Sequence, residues 1–201
     1  GILVISGTGT IAVGRDGSGR ERRCGGWGWL LDGAGSATDI GRDGLTVSLA
    51  MADGRRPETP LRAALWGALE LDPADPGSPQ RLKALVVQPA FGAPGFARLA
   101  PVVERLADRG DRAAAEILEH NAAALAEMAA TVARALDLAA PPVCAVGGAI
   151  ENLARFRQAF AAALAQRLPA GRVASPRGDA CAGALALAAG CLDPPAAAPL
   201  D

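Results

Sequence analysis

Over the first 25 residues the apolar positions follow a two-residue beat: Ile2 to Ser6 is rich in β-branched side chains, Gly7-Thr8-Gly9 turns, and Thr10 to Val13 alternates again. Asp16-Gly17 supplies a second turn signal before a polar strand, Arg20 to Cys24. A three-stranded meander is predicted. Two glycine-rich loops follow, Gly25-Gly26-Trp27-Gly28-Trp29 and Asp32-Gly33-Ala34-Gly35-Ser36, on either side of Leu30-Leu31. Loops this dense in glycine let the backbone approach a neighbour closely.

After Ile40 the spacing becomes helical, with segments near 40–52, 59–71 and 78–87 separated by clusters such as Asp72-Pro73-Ala74-Asp75-Pro76-Gly77. Asp111 is the predicted N-cap of the longest helix, about 111–138, in which Ile117, Leu118, Leu125, Met128, Val132 and Leu136 form an apolar stripe. Pro141-Pro142 ends it. A short buried strand, Val143 to Val146, then runs into Gly147-Gly148, a helix over about 151–167, an edge strand at Arg172 to Ala174 and a last helix from Gly178 to Cys191. A meander, then helices, then strand–helix–strand–helix predicts an α/β domain with a mixed sheet flanked by helices. Residues 1–192 form this one domain, with a helical insertion over about 40–110; the Pro/Ala-rich stretch 193–201 is expected to be a disordered tail.

Composition removes several chemistries. Lys plus Arg total 20 and Asp plus Glu 21, so a net charge of -1 recruits neither nucleic acid nor an anionic membrane. His120 is the only histidine, which excludes zinc sites built on several His ligands. Lys83 follows no glycine loop, so there is no Walker A motif. Cys24, Cys144, Cys181 and Cys191 contain no C-x-x-C pair and read as thiols in a reducing cytosol, with no metal site. No apolar run reaches the roughly 18 residues of a membrane span, so a soluble, cytoplasmic protein is expected. The chain opens on Gly1 and enters its first strand at once, which reads as a fragment.

Three loops carry candidate chemistry, each beside a plainer alternative. Gly7-Thr8-Gly9-Thr10 is either an ordinary hairpin turn or one whose amides and hydroxyls hold phosphate; no helix starts after it, which argues against a Rossmann site. Gly147-Gly148 lets a flat ring lie on the backbone or merely turns the chain. Trp27 between Gly26 and Gly28 is either core or pocket wall. Arg20, Arg22 and Arg23, like Glu116, Glu119 and Glu127, read as solvated faces, and His120 has no catalytic role.

The order of these pieces is more specific than any one of them. Val4-Ile5-Ser6-Gly7-Thr8-Gly9-Thr10, then Gly25-Gly26-Trp27-Gly28-Trp29-Leu30-Leu31, Ile40-Gly41-Arg42 and Ala145-Val146-Gly147-Gly148 resemble the N-acetylglucosamine kinase group of the BadF/BadG/BcrA/BcrD ATPase family, in the actin-like (ribonuclease H-like) ATPase superfamily. The resemblance runs from Ile2 to about Gly190. It implies the C-terminal lobe of a carbohydrate kinase that uses ATP and Mg2+ on glucosamine or N-acetylglucosamine.

The resemblance also implies roles. Gly7, Thr8, Gly9 and Thr10 would face the ATP phosphates, with Gly147, Gly148 and Gly95 as further nucleotide contacts. Gly26, Trp27, Gly28, Asp32 and Gly33 would bind the sugar. Where the family reads Gly-Asp-Glu-Gly-Ser, this chain reads Asp32-Gly33-Ala34-Gly35-Ser36, so the sugar-binding carboxylate falls on Gly33 and Asp32 is its nearest substitute. The family's first phosphate loop and catalytic aspartate would lie before Gly1. No catalytic residue is therefore assigned within the chain, which alone is expected to be inactive. The same resemblance leaves a homodimer open, as well as two other activities: an ATPase that activates a dehydratase or reductase, and a degenerate, non-catalytic sugar or nucleotide sensor.

Overall fold

The computed structural model describes residues 1–176 and 178–192; the expected tail, 193–201, lies outside them. Strands β1 (Ile2–Ser6), β2 (Thr10–Arg15) and β3 (Glu21–Gly25) form the predicted meander. Its second turn is closed by one carboxylate: Asp16 Oδ1 accepts from the Ser18 amide at 2.8 Å and the Arg20 amide at 2.9 Å. Strands β4 (Pro142–Val146) and β5 (Arg172–Ala174) extend the sheet, giving the order β3-β2-β1-β4-β5. The first three strands pair antiparallel, whereas β4 runs parallel to β1 with Ile2 opposite Val143. The sheet is mixed, and β5 lies at its edge, paired parallel to β4.

Alternation along β1 sends Ile2, Val4 and Ser6 into the core and leaves Leu3 and Ile5 39% and 37% exposed on the opposite face. The buried face is covered by α6 (Arg112–Ala135), which α8 (Ala154–Arg167) packs against in turn. Leu125, Met128, Ala129 and Val132 of α6 share one apolar cluster with Val4, Ala12 and Val143. The helix crosses so closely that a Cβ on Gly14 would stand 2.4 Å from Val132 Cγ1.

Between β3 and α6 lie α1 (Ala37–Ala52), α2 (Pro60–Gly67), α3 (Ser78–Val86), α4 (Gly92–Ala97) and α5 (Ala100–Asp108). Asp111 caps α6 as predicted, accepting from the Ala114 amide, and its second oxygen accepts from the Leu61 amide at the start of α2. One carboxylate thus serves two helices.

Three expectations differ from the structure. The helix near 59–71 stops at Gly67, because Glu70 turns left-handed at φ 59° and the Leu71 amide returns to the Trp66 carbonyl at 2.9 Å. Helices α4 and α5 were not expected in a stretch broken by Gly92, Pro94, Gly95 and Pro101. Phe96 meets Phe91 edge-on at 4.9 Å between ring centroids, and α4 lies against α1. The helix expected over 151–167 is two, α7 (Gly148–Asn152) and α8, separated by an extended Leu153. The last helix, α9 (Ala180–Leu192), falls close to its expected span. Cys24, Cys144 and Cys181 are free thiols.

Candidate functional site

Strands β1 and β4 run parallel, so the segments that leave them, the 7–9 turn and Gly147-Gly148, emerge at one end of the sheet. Crevices at the carboxyl ends of parallel strands are where α/β folds bind ligands. A Cβ on Gly7 would lie 3.9 Å from the Gly148 nitrogen, which places the two glycine turns side by side. The third loop, 26–36, is stitched to the same end: Ser6 Oγ donates to the Gly35 carbonyl at 2.6 Å and Thr10 Oγ1 to the Ala34 carbonyl at 3.1 Å.

The 7–9 turn presents Thr8 and Gly9 to solvent. The Gly7 amide closes the turn on the Gly9 carbonyl, while those of Thr8 and Gly9 meet no backbone acceptor among the described residues. Two free amides and an unengaged Thr8 hydroxyl suit an anionic oxygen. Behind the turn, the first residues of α1 act as a brace, with the Ala37 amide donating to the Gly7 carbonyl at 2.8 Å and Thr38 Oγ1 to the Thr8 carbonyl at 2.6 Å. Thr10 departs from its expected place facing phosphate. It is buried, and its hydroxyl is spent on Ala34.

Trp27 stands 67% exposed on its glycine loop, with the Arg23 guanidinium 4.7 Å from its ring centroid. It is not a core residue, and a cation over its face fixes the ring's tilt. Gly26 is needed at the base of that loop, because its φ of 80° is left-handed and a Cβ there would lie 2.9 Å from Ile11 Cδ1. Gly33 is buried, and a Cβ on it would come within 2.6 Å of Asp39 Oδ1. A side chain at residue 33 would have to displace the Asp39 carboxylate, which fills that space. Asp32 Oδ2 is buried without a hydrogen-bond partner. Burial, with Asp43 and Asp32 nearby, pushes the Asp39 carboxyl above its ordinary range against the opposing pull of Arg42 and His120.

Gly95 is buried in α4 against Phe91, where a Cβ would lie 2.5 Å from the ring; packing alone accounts for a glycine there. Two residues given no role from the sequence hold the loop. Asn121, buried in α6, accepts from the Gly35 amide at 2.9 Å and donates to Asp43 Oδ2 at 2.7 Å. Arg42 donates to the Trp29 carbonyl at 2.7 Å. An amide inside an apolar helical stripe is the one local signal that pointed to Asn121.

Residues 1–188 match the pattern of the BadF/BadG/BcrA/BcrD ATPase family. The chain belongs to that family. It is 30% identical over 190 residues to the N-acetylmuramic acid/N-acetylglucosamine kinase of Clostridium acetobutylicum, covering 94% of this chain and 60% of the relative. It is likewise 30% identical over 192 residues to the N-acetyl-D-glucosamine kinase of Dictyostelium discoideum, covering 59% of that protein. The chain therefore spans about three fifths of the length of these curated relatives. A solved structure from Chromobacterium violaceum, described as a candidate N-acetylglucosamine kinase, superposes with a TM-score of 0.70 at 30% identity, over 93% of this chain and 59% of that one. A second such structure, from Porphyromonas gingivalis, gives 0.62 at 20% identity and speaks to the fold alone. Family and architecture agree on the actin-like ATPase fold, here a five-stranded mixed sheet flanked by helices.

Proposed function

We propose that this chain is the C-terminal lobe of an ATP-dependent amino-sugar kinase acting on glucosamine, N-acetylglucosamine or a close relative. The observation that carries the reading is the meeting of three loops at one end of the sheet: the 7–9 turn with its free amides, the Gly147-Gly148 turn, and the loop bearing Trp27. Relatives named as N-acetylglucosamine kinases supply the substrate class. In the reaction a sugar hydroxyl oxygen attacks the γ-phosphorus, the bond to the bridging oxygen breaks, and ADP leaves with that electron pair while the hydroxyl proton passes to a general base. In this reading that base lies outside this chain.

Within the chain, Thr8 and the neighbouring amides bind the phosphates, the glycine pair lies along the nucleoside, and Trp27 covers one face of the sugar. The described residues include no group of three or more acidic, His or Cys side chains suited to a metal. The Mg2+ of this reading is accordingly one held mainly by phosphate oxygens and water. Among the described residues no helix is long and apolar enough to cross a membrane; the cytoplasm is the compartment this reading assumes.

The direct test is phosphorylation of glucosamine and N-acetylglucosamine by the protein that carries this chain. ATP hydrolysis without a phosphorylated sugar would instead favour the ATPase-activator class. Thr8→Val keeps the shape and removes the hydroxyl, and losing a hydrogen bond to a charged group costs about 1.5–3 kcal/mol, so kcat/KM is expected to fall about tenfold or more. An unchanged value refutes the phosphate role. Trp27→Ala is expected to raise the sugar KM severalfold while leaving the ATP KM and the melting temperature close to wild type, since a side chain this exposed contributes little to the core.

A further inference from the structure

Arg42 is the sixth residue of α1 and reaches four groups on three residues at once. Its Nη2 donates to the Trp29 carbonyl at 2.7 Å, its Nη1 lies 2.8 Å from Asp39 Oδ1, and the guanidinium stands 5.7 Å from the ring centroids of both Trp29 and Phe96. The Arg42 side chain is 33% exposed and that of Asp39 15%, so the pair is screened less than a surface one. The contact with Asp39 is an ion pair, since Asp39 Oδ1 accepts no hydrogen bond; planar, delocalised and always charged, a guanidinium can donate to a carbonyl while it stays paired with a carboxylate and lies near two aromatic rings, which an ammonium cannot. The start of α1 also braces the 7–9 turn through Ala37 and Thr38. The first six residues of the helix therefore hold the 7–9 turn with Ala37 and Thr38 and the tryptophan loop with Asp39 and Arg42.

We infer that Arg42, anchored by Asp39, is a positioning residue that fixes the tryptophan loop in its sugar-binding shape relative to the phosphate turn. The inference rests on the sugar-binding role proposed for Trp27. Arg42 acts through the loop, by removing conformations that the sugar would otherwise have to select against. The Asp32 and Leu31 amides that return to the Gly28 carbonyl at 2.8 and 3.1 Å form the small turn it stabilises.

Two measurements test this, and only one depends on the sugar. Exchange of the hydrogen-bonded Leu31 and Asp32 amides in Arg42→Gln should quicken at least about tenfold and stay unchanged over β1 and β2, because local opening is a local free energy. Unchanged exchange, or a uniform rise across the chain, overturns the inference whatever the substrate is. In steady-state kinetics on the protein that carries this chain, Arg42→Gln should raise the sugar KM about tenfold with the ATP KM within twofold, and Arg42→Lys should recover only part of the loss. The Trp27→Ala/Arg42→Gln double variant should be little worse than Trp27→Ala alone, since two residues acting through one loop are not additive. Additive effects, or equal rises in both KM values, contradict it. A wild-type protein that phosphorylates no amino sugar refutes the sugar-kinase reading itself, while the exchange measurement still decides the role of Arg42.

Discussion

Gly147→Ala is expected to destabilise the folded chain by about 3 kcal/mol or more, through backbone strain and collision acting together. Gly147 adopts φ 106° and ψ 155°, a region open essentially to glycine alone. A Cβ there would stand 2.6 Å from the carbonyl oxygen of Ser6 and 2.8 Å from its carbonyl carbon, both backbone atoms of a central strand. Neither can yield cheaply, because Ser6 is buried and its hydroxyl is committed to the Gly35 carbonyl. For a domain of this size about 3 kcal/mol corresponds to a fall in Tm of roughly 6–12 °C. Pushing Ser6 also moves the turn that follows it, so on the proposed phosphate role of that turn nucleotide affinity should fall with stability. Gly9→Ala is the control: a Cβ there meets nothing within 4 Å, and its cost should stay within about 0.5 kcal/mol. Thermal and urea unfolding of the two variants decide the matter, and a Gly147→Ala protein within about 1 kcal/mol of wild type would show that the close approach of the two turns is not what holds this end of the sheet.

Glu104→Ala is expected to cost about 2–4 kcal/mol, although Glu104 lies on α5, far from the candidate site in sequence. Its two oxygens accept from the Arg155 amide at 2.6 Å and the Phe156 amide at 3.3 Å, the first turn of α8. Leu153, at the cap position of that helix, offers no side-chain acceptor of its own. Truncation strands two donors at a buried helix end and leaves a cavity. Glu104→Gln keeps one acceptor and should lose less. Burial pushes the Glu104 carboxyl above its ordinary value of 4.5, although the two amides pull it down. A raised folded-state value means the native protein binds the proton more tightly than the unfolded chain, so this group's contribution to stability falls as pH rises through the window just above 4.5. Measured by urea unfolding, wild type should therefore gain on Glu104→Gln as the pH drops from 7 to 4. The opposite trend would mean the hydrogen bonds to the charged form outweigh its desolvation.

Local signals were enough wherever a segment's partners lie next to it in the chain. The meander follows from β-branched alternation punctuated by Gly7-Thr8-Gly9 and Asp16-Gly17, and α6 from an apolar stripe headed by Asp111. Strand β4 was legible as a short apolar run between turn signals although its partner β1 is distant in the chain, and β5 as a short edge strand. The three glycine loops stood out because so many glycines in so few residues mark backbone that comes close to a neighbour, although which neighbour was not legible.

Partners distant in sequence settled the rest. The expected helix over 151–167 breaks at Leu153 because a carboxylate 51 residues upstream captures the Arg155 amide, and nothing in the sequence around Leu153 announces that. Helix α4, full of glycine and proline, exists because Gly41 lets α1 come so close that a Cβ would stand 2.0 Å from the Phe96 carbonyl. The same holds at the site. Sequence placed Gly7, Gly26, Trp27, Gly33 and Gly147 in loops, but only the folded chain turns the Thr10 hydroxyl inward, fills the space beside Gly33 with Asp39 and sets Arg42 under the tryptophan loop. Alone, the sequence determined which segments could be strand, helix or open loop, since those choices depend on near neighbours. Which loops meet, and which polar groups are left free there, depends on a long-range packing whose energy no single segment carries.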